Sequence, residues 1–511
     1  MAILGSSIRR DLCLILVLAI IICGLVVEYR FPEALPAPPT DSFASFSNSF
    51  LRGSDGYHTN GASKPPPLNP TRPTPVLQEE IVVSRPPLTK TDLIKHAPGF
   101  TILEHVYLLN GTLYIVDTTS PTAFPERRMI ISSGAKIQTP NPEKEPTDKN
   151  MQIITMEKAR EIFGDSASRI EGTSFICYDH AELFTHYYHF SAEILFTLWR
   201  TYSSLDPNIS PDGQTSLLAP SRFIAPHIPA DRWRDYAKMN QYILHAAFPS
   251  MGLQFESTWK DRVETTRPFV FDRVVLEDRV ASSRGWDDKD QWEKMHVFAE
   301  QIDGGATGAS WWEPVRRNVV AFSGGDVVRK ASEGAKSNIV ITYVTRQGWG
   351  RRMLREEDHE RLVLALKQLE KTHGWEVNIV RMETMSRDAQ IALVARTTIL
   401  MGVHGNGLTS LIWMTPGETS TVMEFFAQEA FAYDFMYAAK MLGIKHYGFW
   451  NDVTWSWPEA NFPRKPNYPK HRGQPEGFQG NDIRIDADAV VKLCIERLSP
   501  LPVTTTPTGQ K

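Results

Sequence analysis

The sequence predicts an α/β protein whose second half forms a doubly wound, Rossmann-like domain. Apolar, β-branched runs of strand length alternate with segments of helical periodicity between residues 338 and 451. Capping residues and glycines separate the two kinds of segment. The chain has 511 residues, which is enough for roughly two to four domains.

The elements of this domain follow in order along the chain. After the apolar run NIVITYVTR, a helix places Leu362, Leu366 and Leu369 on one face. That helix ends at Gly374, and the next begins at Ser386, a good N-cap residue. Further predicted strands are EVNIVRM, TTILMGV and TSTVMEFF, and further predicted helices cover residues 408–414 and 431–442. This alternation indicates parallel βαβ units.

The preceding part of the chain is less regular. Its candidate strands are TLYIVD and RVVLEDRV, and an aromatic helix is predicted over residues 189–202. We expect a second α/β domain there, joined to the first by a hinge near residues 324–337. The predicted division is an N-terminal domain at 98–325, a C-terminal Rossmann-like domain at 326–485, and a helix with a frayed tail at 486–511.

Composition excludes some classes of partner. Lys and Arg total 55 against 59 for Asp and Glu, so the net charge is −4. Proteins that bind the nucleic-acid backbone usually carry a basic excess, and no nucleic-acid partner is expected. Hydrophobic residues make up 42 % of the chain, which predicts that most of it folds.

The N-terminus has the pattern of a membrane anchor. Residues 12–27 carry no polar side chain and would span about 24 Å as a helix. We predict a cytoplasmic tail at 1–10, a signal-anchor helix at 11–30 and a disordered, Pro-rich stem at 31–97. A cleaved signal peptide is the alternative, although no small-residue cleavage site follows the apolar run.

A luminal location makes two covalent modifications testable. Asn110 and Asn208 begin sequons that could accept glycans in the secretory pathway. Cys177 and Cys494 lie far apart in the sequence and show no zinc-site spacing. We predict a disulfide between them if the chain is luminal, with two buried thiols as the alternative.

Polar residues follow two predicted strands of the second domain. His404 comes directly after a buried strand, and Gly405, Asn406 and Gly407 begin the next helix. The carboxyl ends of parallel strands bind ligands, and a helix start favours phosphate. A purely structural turn is the alternative.

Three arginines and a glutamate extend this pattern. Arg346 ends the first strand of the domain, and Arg351 and Arg352 follow in a loop. Guanidinium groups bind diphosphate oxygens in a bidentate manner, although a solvated basic loop would look the same. Glu424 ends a third strand and could accept hydrogen bonds from a ribose diol or cap a helix.

A second cluster lies in the first half, in CYDHAELFTHYYHFSAEILFTLWR. If helical, this segment places His186, His189 and Glu193 on one face, with Asp179 and His180 nearby. Such a cluster can supply a general base, but its spacing does not match a zinc-peptidase helix. The DxD pairs at 288–290 and 486–488 are best explained as a charged loop and a helix N-cap. No metal site is predicted.

The order of these segments resembles glycosyltransferase family 61. The resemblance rests on the His-rich segment, TRQGWGRRMLREEDHERL, VHGNGLTSLIWMTPGETSTVMEFF and KHYGFWND, and covers roughly residues 174–452. That family includes plant β-1,2-xylosyltransferases, an EGF-domain O-GlcNAc transferase and a protein O-mannose β-1,4-N-acetylglucosaminyltransferase. The resemblance implies a GT-B fold with two Rossmann-like domains facing a cleft. It also implies inverting transfer from a nucleotide sugar, usually UDP-linked, without a DxD metal.

The resemblance also implies roles for single residues. The family's strand-end arginine corresponds to Arg346, its second arginine to Arg351 or Arg352, and its "VVEL" glutamate to Glu424. The HGAGL motif corresponds to residues 404–408, with Asn406 in place of the usual Ala. The His-x-x-x-acid pair corresponds to His189 and Glu193, where Glu replaces the commoner Asp.

These inferences predict a type II membrane protein of the Golgi or endoplasmic reticulum. It would transfer xylose or GlcNAc from a UDP-sugar to a hydroxyl of a glycan or glycoprotein, without a further cofactor. Glu193, or His189 oriented by it, would accept the acceptor proton. The alternatives are a membrane-tethered glycan-binding protein of the same fold without turnover, and a glycosidase, for which no carboxylate pair stands out.

Overall fold

The computed structural model describes residues 84–117, 124–136, 139–285, 295–304, 308–325, 339–463, 465–469 and 477–499. All of them belong to one compact unit, Ile81–Lys511. Two β-sheets with helices packed around them form this unit, which confirms the mixed α/β class.

The first sheet contains eight strands in the order β4-β3-β2-β8-β5-β6-β7, with β1 paired along β2. The strands are β1 (Asp92–Ala97), β2 (Phe100–Leu109), β3 (Thr112–Asp117), β4 (Met151–Thr155), β5 (Ser168–Cys177), β6 (Arg222–Ile224), β7 (Gly252–Gln254) and β8 (Phe269–Glu277). Strands β5 to β8 pair in parallel, whereas β1, β2 and β3 form an antiparallel meander that joins β8.

Strand β1 corrects one predicted boundary. It lies inside the segment 31–97 that was predicted as stem, and it pairs antiparallel with β2. Gly99 allows the connecting turn because its φ is +75°, a conformation that other residues rarely adopt. The sequence of β1 has little strand signal of its own, and β2 supplies the partner that orders it.

The predicted membrane span, residues 12–27, lies outside the described residues. Among the residues that are described, no helix combines the length and the apolar composition that a bilayer crossing requires.

The second sheet contains six strands in the order β10-β9-β11-β12-β13-β14. They are β9 (Val340–Val344), β10 (Glu376–Val380), β11 (Ile399–Val403), β12 (Thr421–Phe425), β13 (Lys445–Trp450) and β14 (Val453–Trp455). The five strands from β10 to β13 pair in parallel, which is consistent with the predicted Rossmann-like arrangement. The four predicted strands of this domain are confirmed, whereas β13 and β14 were not predicted.

The helices flank both sheets. They are α1 (Arg127–Ile130), α2 (Asn141–Lys144), α3 (Met156–Phe163), a π-helix (Tyr188–Leu195) continued by α4 (Phe196–Ser203), α5 (Met239–Ala247), α6 (Glu256–Glu264), α7 (Arg279–Ser282), α8 (His296–Gln301), α9 (Glu313–Phe322), α10 (Glu356–His373), α11 (Arg387–Ala395), α12 (Asp434–Met441) and α13 (Ala487–Leu498). Short 3₁₀ turns occupy Ser283–Gly285 and Met382–Thr384, and a longer one occupies Asn406–Trp413. The predicted caps at Ser386 and Asp486 accept hydrogen bonds from the backbone three residues later, as expected.

Indole hydrogen bonds join the helices between the two sheets. Trp312, the N-cap residue of α9, donates to the carbonyl of Ile412 at 2.8 Å, and Trp311 donates to the carbonyl of Met441 at 2.9 Å. Trp413 donates to the hydroxyl of Tyr187 at 2.9 Å. One hydrophobic cluster includes residues of both sheets and of this helical layer, so the two sheets share a core.

Candidate functional site

A cavity of about 570 Å³ collects most of the predicted site residues. Its walls come from the π-helix, the loop after β9, the turn after β11 and the start of α12. Of the predicted site residues, the lining includes His186, His189, Arg346, Arg351, Arg352, His404, Gly405 and Asn406. The two halves of the sequence therefore meet at one site.

Strand register explains the meeting of Arg346 and His404. Strands β9 and β11 are parallel neighbours, with Val344 opposite Gly402. Arg346 and His404 each follow two residues later, so both lie at the same sheet edge. A Cβ added at Gly405 would lie 2.5 Å from Arg346 Nη1, so a side chain there would displace the guanidinium from its present position.

The arginines give the cavity an excess of positive charge. Burial, followed by the like charge of Arg351, lowers the pKa of Arg346. Burial and the two neighbouring guanidinium groups lower the pKa of Arg352 to about 10. Asp434 is the one carboxylate among the described lining residues, so an anionic ligand would relieve the repulsion.

Arg352 is held more firmly than Arg351. Its Nε donates to Gln479 Oε1 at 2.9 Å, and its guanidinium lies 4.9 Å from the ring centroid of Phe478. Its φ of +53° is unusual for a residue other than glycine. Arg351 is exposed at the mouth of the cavity.

Glu424 does not line the cavity, contrary to the predicted ribose contact. Its side chain is fully buried, and both carboxylate oxygens are engaged. Oε1 lies 2.5 Å from His404 Nδ1, and Oε2 lies 2.8 Å from His446 Nε2. Glu424 therefore acts on the cavity through His404.

The ring of His404 is enclosed by aromatic side chains. Its centroid lies 4.9 Å from Phe478, 5.4 Å from Phe435 and 5.5 Å from Phe426. Its Nε2 lies on the other edge from Glu424, 3.9 Å from Asp434 Oδ2. The imidazole therefore has one nitrogen toward a buried carboxylate and one toward the cavity.

The first half of the chain contributes a second histidine and glutamate pair. His189 Nδ1 lies 2.6 Å from Glu193 Oε2, and both residues are on the π-helix. The Glu193 side chain is fully buried, whereas 27 % of the His189 side chain is exposed. A π-helical turn is wider than an α-helical one and is frequent at functional sites. His189 can therefore contact a ligand, and Glu193 can only orient it.

Arg279 forms an ion pair with the buried carboxylate of Glu193. Its Nη2 lies 2.9 Å from Glu193 Oε2, and its Nε donates to Asp179 Oδ2 at 3.2 Å. The neighbouring carboxylates raise the pKa of Arg279, and burial raises that of Asp179. The predicted candidates Asp179 and His180 thus lie outside the cavity lining, whereas His186 lies in it. Burial lowers the pKa of His186 to about 4.

The structure contradicts the predicted Cys177–Cys494 disulfide. Both cysteines are buried free thiols. Cys177 ends β5 and its Sγ donates to Glu277 Oε2 at 2.7 Å, whereas Cys494 on α13 belongs to the hydrophobic cluster of the second sheet. Helix α13 packs on α10 instead of crossing to the first sheet.

One group of side chains has the composition of a metal site. Candidate ligand atoms of Cys177, Asp179 and Glu277 lie within 4.8 Å of one another, and all three residues are buried. Burial raises the pKa values of the Cys177 thiol and the Glu277 carboxyl well above their usual ranges. The group therefore retains protons, and it lies outside the cavity lining. Of the two DxD pairs, 288–290 lies outside the described residues, and Asp486 is the cap of α13.

The predicted glycosylation residues are at the surface. Asn110 is exposed in the turn between β2 and β3, with a φ of +51°, and Asn208 is exposed in the loop after α4. Exposure is a requirement for modification, and glycosylation at both positions remains a prediction.

Sequence reasoning missed several residues of the site. Asp434 lines the cavity, and the hydroxyl of Tyr188 donates to its carbonyl at 2.9 Å. Arg279 and His446 are the buried partners of the two glutamates. The only signal for His446 was the aromatic-rich KHYGFW run, which β-propensity identifies as a strand.

One comparison with known proteins gave a match. The family model described as Glycosyltransferase 61 matches residues 187–423, from the π-helix into β12. The matched region contains His189, Glu193, Arg346 and His404. A search of curated proteins found no match. The family-model match confirms the predicted resemblance to glycosyltransferase family 61 and supports, in general terms, a glycosyltransferase activity of this chain.

Proposed function

We propose that this protein transfers a sugar, xylose or GlcNAc, from a UDP-sugar to a hydroxyl of a glycan or glycoprotein with inversion at the anomeric carbon. The observation that supports this is that three arginines and His404 line one side of a cavity and His189 lines the other. We propose that this cavity is the cleft of a GT-B fold, between two Rossmann-like halves.

The arginine side suits the diphosphate of the donor. Arg346, Arg351 and Arg352 supply three positive charges against the single lining carboxylate Asp434 in the described part of the chain. Arg346 Nε is buried and makes no hydrogen bond to any described residue. The helical turn that begins at Asn406 adds backbone N–H groups beside them. These charges can neutralise a leaving diphosphate, so we propose transfer without a metal.

The His189 side suits the acceptor. With Nδ1–H donated to Glu193, the Nε2 lone pair of a neutral His189 can accept the proton of the acceptor hydroxyl. The acceptor oxygen then forms a bond to the anomeric carbon as the bond to the diphosphate breaks. The bonding electron pair leaves with UDP, and the proton stays on His189.

We further propose a type II membrane protein of the Golgi or endoplasmic reticulum, anchored by residues 11–30. The apolar run at 12–27 and the exposed sequons at Asn110 and Asn208 support a luminal body. Protease treatment of intact microsomes tests the orientation, because the body should be digested only after the membrane is permeabilised.

The two alternative functions, glycosidase and glycan-binding protein, require different residues at the site. A glycosidase needs two carboxylates facing the scissile bond, and the described lining offers one, Asp434. A glycan-binding protein without turnover would not need the base geometry of His189 and Glu193.

The decisive experiment incubates the purified full-length chain with UDP-xylose or UDP-GlcNAc and a panel of glycan and glycoprotein acceptors. We expect product formation that EDTA does not abolish, and loss of UDP binding in Arg346→Ala. A matched control is Arg361→Ala, since Arg361 lies on α10 outside the cavity lining. Binding without turnover on any acceptor would favour the glycan-binding alternative, and hydrolysis of free glycosides would favour the glycosidase.

A further inference from the structure

Glu424 and His446 lie on two neighbouring strands of the second sheet, β12 and β13, and His404 directly follows the neighbouring strand β11. Glu424 on β12 is directly opposite Gly402 on β11 and Gly448 on β13. His404 comes two residues after Gly402, and its N–H continues the ladder by donating to the carbonyl of Phe425 at 3.0 Å. His446 comes two residues before Gly448. Because side chains two residues apart share a face, both imidazoles flank Glu424.

The two glycines make room for this arrangement. A Cβ at Gly448 would lie 2.1 Å from the ring of Trp455, and one at Gly402 would lie 2.7 Å from the carbonyl oxygen of Val344. Trp455 therefore packs over Gly448, with its ring centroid 6.2 Å from that of His446. No side chain stands directly beside Glu424 on either strand, so the histidines reach it diagonally.

The surroundings of His446 favour the role of a neutral hydrogen-bond donor. Burial lowers the pKa of His446 to about 3, so its imidazole is uncharged at neutral pH. Its Nδ1 is buried and finds no hydrogen-bond partner among the described residues. An Nδ1–H there would be buried without an acceptor, so we assign the hydrogen to Nε2, which lies 2.8 Å from Glu424 Oε2 and donates to it.

We propose that His446 is a positioning residue of the donor site, which holds Glu424 so that Glu424 fixes the orientation and tautomer of His404 with an Nε2–H directed into the cleft. The ligand of that N–H, a diphosphate oxygen, rests on the function proposed above. The positioning role itself does not depend on that function.

The number of protons held by Glu424 and His404 supports an N–H at His404 Nε2. Burial raises the pKa of Glu424 well above its usual range, so the Glu424 and His404 pair retains a proton at neutral pH. That proton occupies the 2.5 Å contact between Oε1 and Nδ1, on either atom. In both arrangements Nε2 carries the second hydrogen and is a donor. The charged groups that face the pair from other elements are Asp434 on α12 and Arg352 in the loop after β9.

The test compares three substitutions of His446. The amide of Gln can reach Glu424 as Nε2 does, whereas the shorter amide of Asn and the apolar side chain of Leu cannot. Two properties are measured: affinity for UDP by calorimetry, and the pH at which His404 becomes reactive toward diethyl pyrocarbonate. That reagent acylates an imidazole nitrogen whose lone pair is exposed, and mass spectrometry identifies the modified residue.

We expect His446→Leu and His446→Asn to weaken UDP binding about tenfold, because His404 is no longer held in position and its hydrogen bond to UDP weakens. The reactivity midpoint of His404 should move up by about one pH unit. When the pair loses its proton, Glu424 becomes a carboxylate, and without a hydrogen bond from residue 446 this carboxylate is less stable. The pair therefore keeps its proton to a higher pH. His446→Gln should restore both properties. His96→Leu is the matched control, since His96 is another uncharged, largely buried histidine, hydrogen-bonded to Thr101 on the first sheet.

The proposal is overturned if the reactivity midpoint is the same in the Leu, Asn and Gln variants as in the unmodified chain. It is also overturned if Gln and Asn behave alike, because that pattern shows a packing role without donation. If His446→Leu does not fold, the Asn and Gln pair decides. If the unmodified chain binds no UDP, the proposed function fails, and the reactivity measurement still decides whether His446 positions His404.

Discussion

The two histidine and glutamate pairs of the cleft look alike but differ in what lies behind each glutamate. Behind Glu193 is a cation, Arg279, at 2.9 Å. Behind Glu424 is an uncharged imidazole, His446, at 2.8 Å. Arg279, which Glu193 shares with Asp179, offsets the negative charge of Glu193, so His189 can accept a proton. The charge of Glu424 is not offset by His446, so the Glu424 and His404 pair keeps a proton, and His404 Nε2 is a hydrogen-bond donor.

This difference indicates how the role of each histidine is set. The second partner of each buried glutamate, Arg279 or His446, decides whether the histidine that the glutamate contacts is a base or a hydrogen-bond donor. Substitutions that remove or exchange those groups separate the two roles.

The largest effect is expected for His189→Ala. Turnover should fall by about 10²–10⁴, because the group that accepts the acceptor proton is lost. UDP affinity should stay within twofold, since His189 is on the acceptor side. His180→Ala is the matched control, because His180 is in the same segment but outside the cavity lining. A His189→Ala enzyme with normal turnover would assign the base elsewhere.

Glu193→Gln should lower turnover by about 10²–10³, because the amide keeps the shape but not the charge that orients His189. It should also lower the thermal midpoint of unfolding, since Arg279 then keeps only the Asp179 carboxylate as a close anionic partner among the contacts described above. Steady-state kinetics and calorimetric unfolding measure both. Unchanged kinetics with a lower unfolding midpoint would leave Glu193 a structural role only.

His404→Ala should affect binding instead of chemistry. UDP affinity should fall by about 1–3 kcal/mol, the value of one hydrogen bond to a charged group. His373→Ala is the control, because His373 is an exposed residue at the end of α10. If His404→Ala lowers turnover at saturating donor and leaves UDP affinity intact, the roles of the two histidines are reversed.

The smallest effect concerns acid stability. The unfolded chain protonates His446 near pH 6.5, whereas the folded protein does so only near pH 3. Between these values the unfolded state binds the extra proton, so stability falls as the pH falls. His446→Gln keeps the hydrogen bond but does not titrate, and its stability should decline less steeply, by about 1.4 kcal/mol per pH unit. Urea unfolding at pH 6.5, 5.5 and 4.5 measures the difference, and parallel curves would mean that His446 is not neutral.

The sequence predicted best those structural features that depend on residues close together in the chain. Helix α10 and the caps at Ser386 and Asp486 follow from side chains within a few residues of each other. The shared sheet edge of Arg346 and His404 follows from the rule that parallel strands end on one side.

The remaining features depend on contacts between distant segments. The ionic state of Glu424 depends on β13, which pairs with β12 and carries His446. The role of Glu193 depends on Arg279, 86 positions later in the chain. The expected disulfide failed because α13 packs on the second sheet's own helix, and no local feature of Cys494 shows which sheet it joins.

The indole hydrogen bonds of Trp311, Trp312 and Trp413 have a consequence for motion. They join the residues before α9 and the residue before the π-helix to segments of the second half of the chain. The two halves are therefore linked by hydrogen bonds in the core. Gly348 and Gly350 lie in the loop that carries Arg351 and Arg352, and a side chain at either would meet no atom within 4 Å. Because Arg352 is held by Gln479 and Phe478, we expect the microsecond to millisecond opening that releases product to be a local swing of residues 348–351 and not a hinge motion of whole domains.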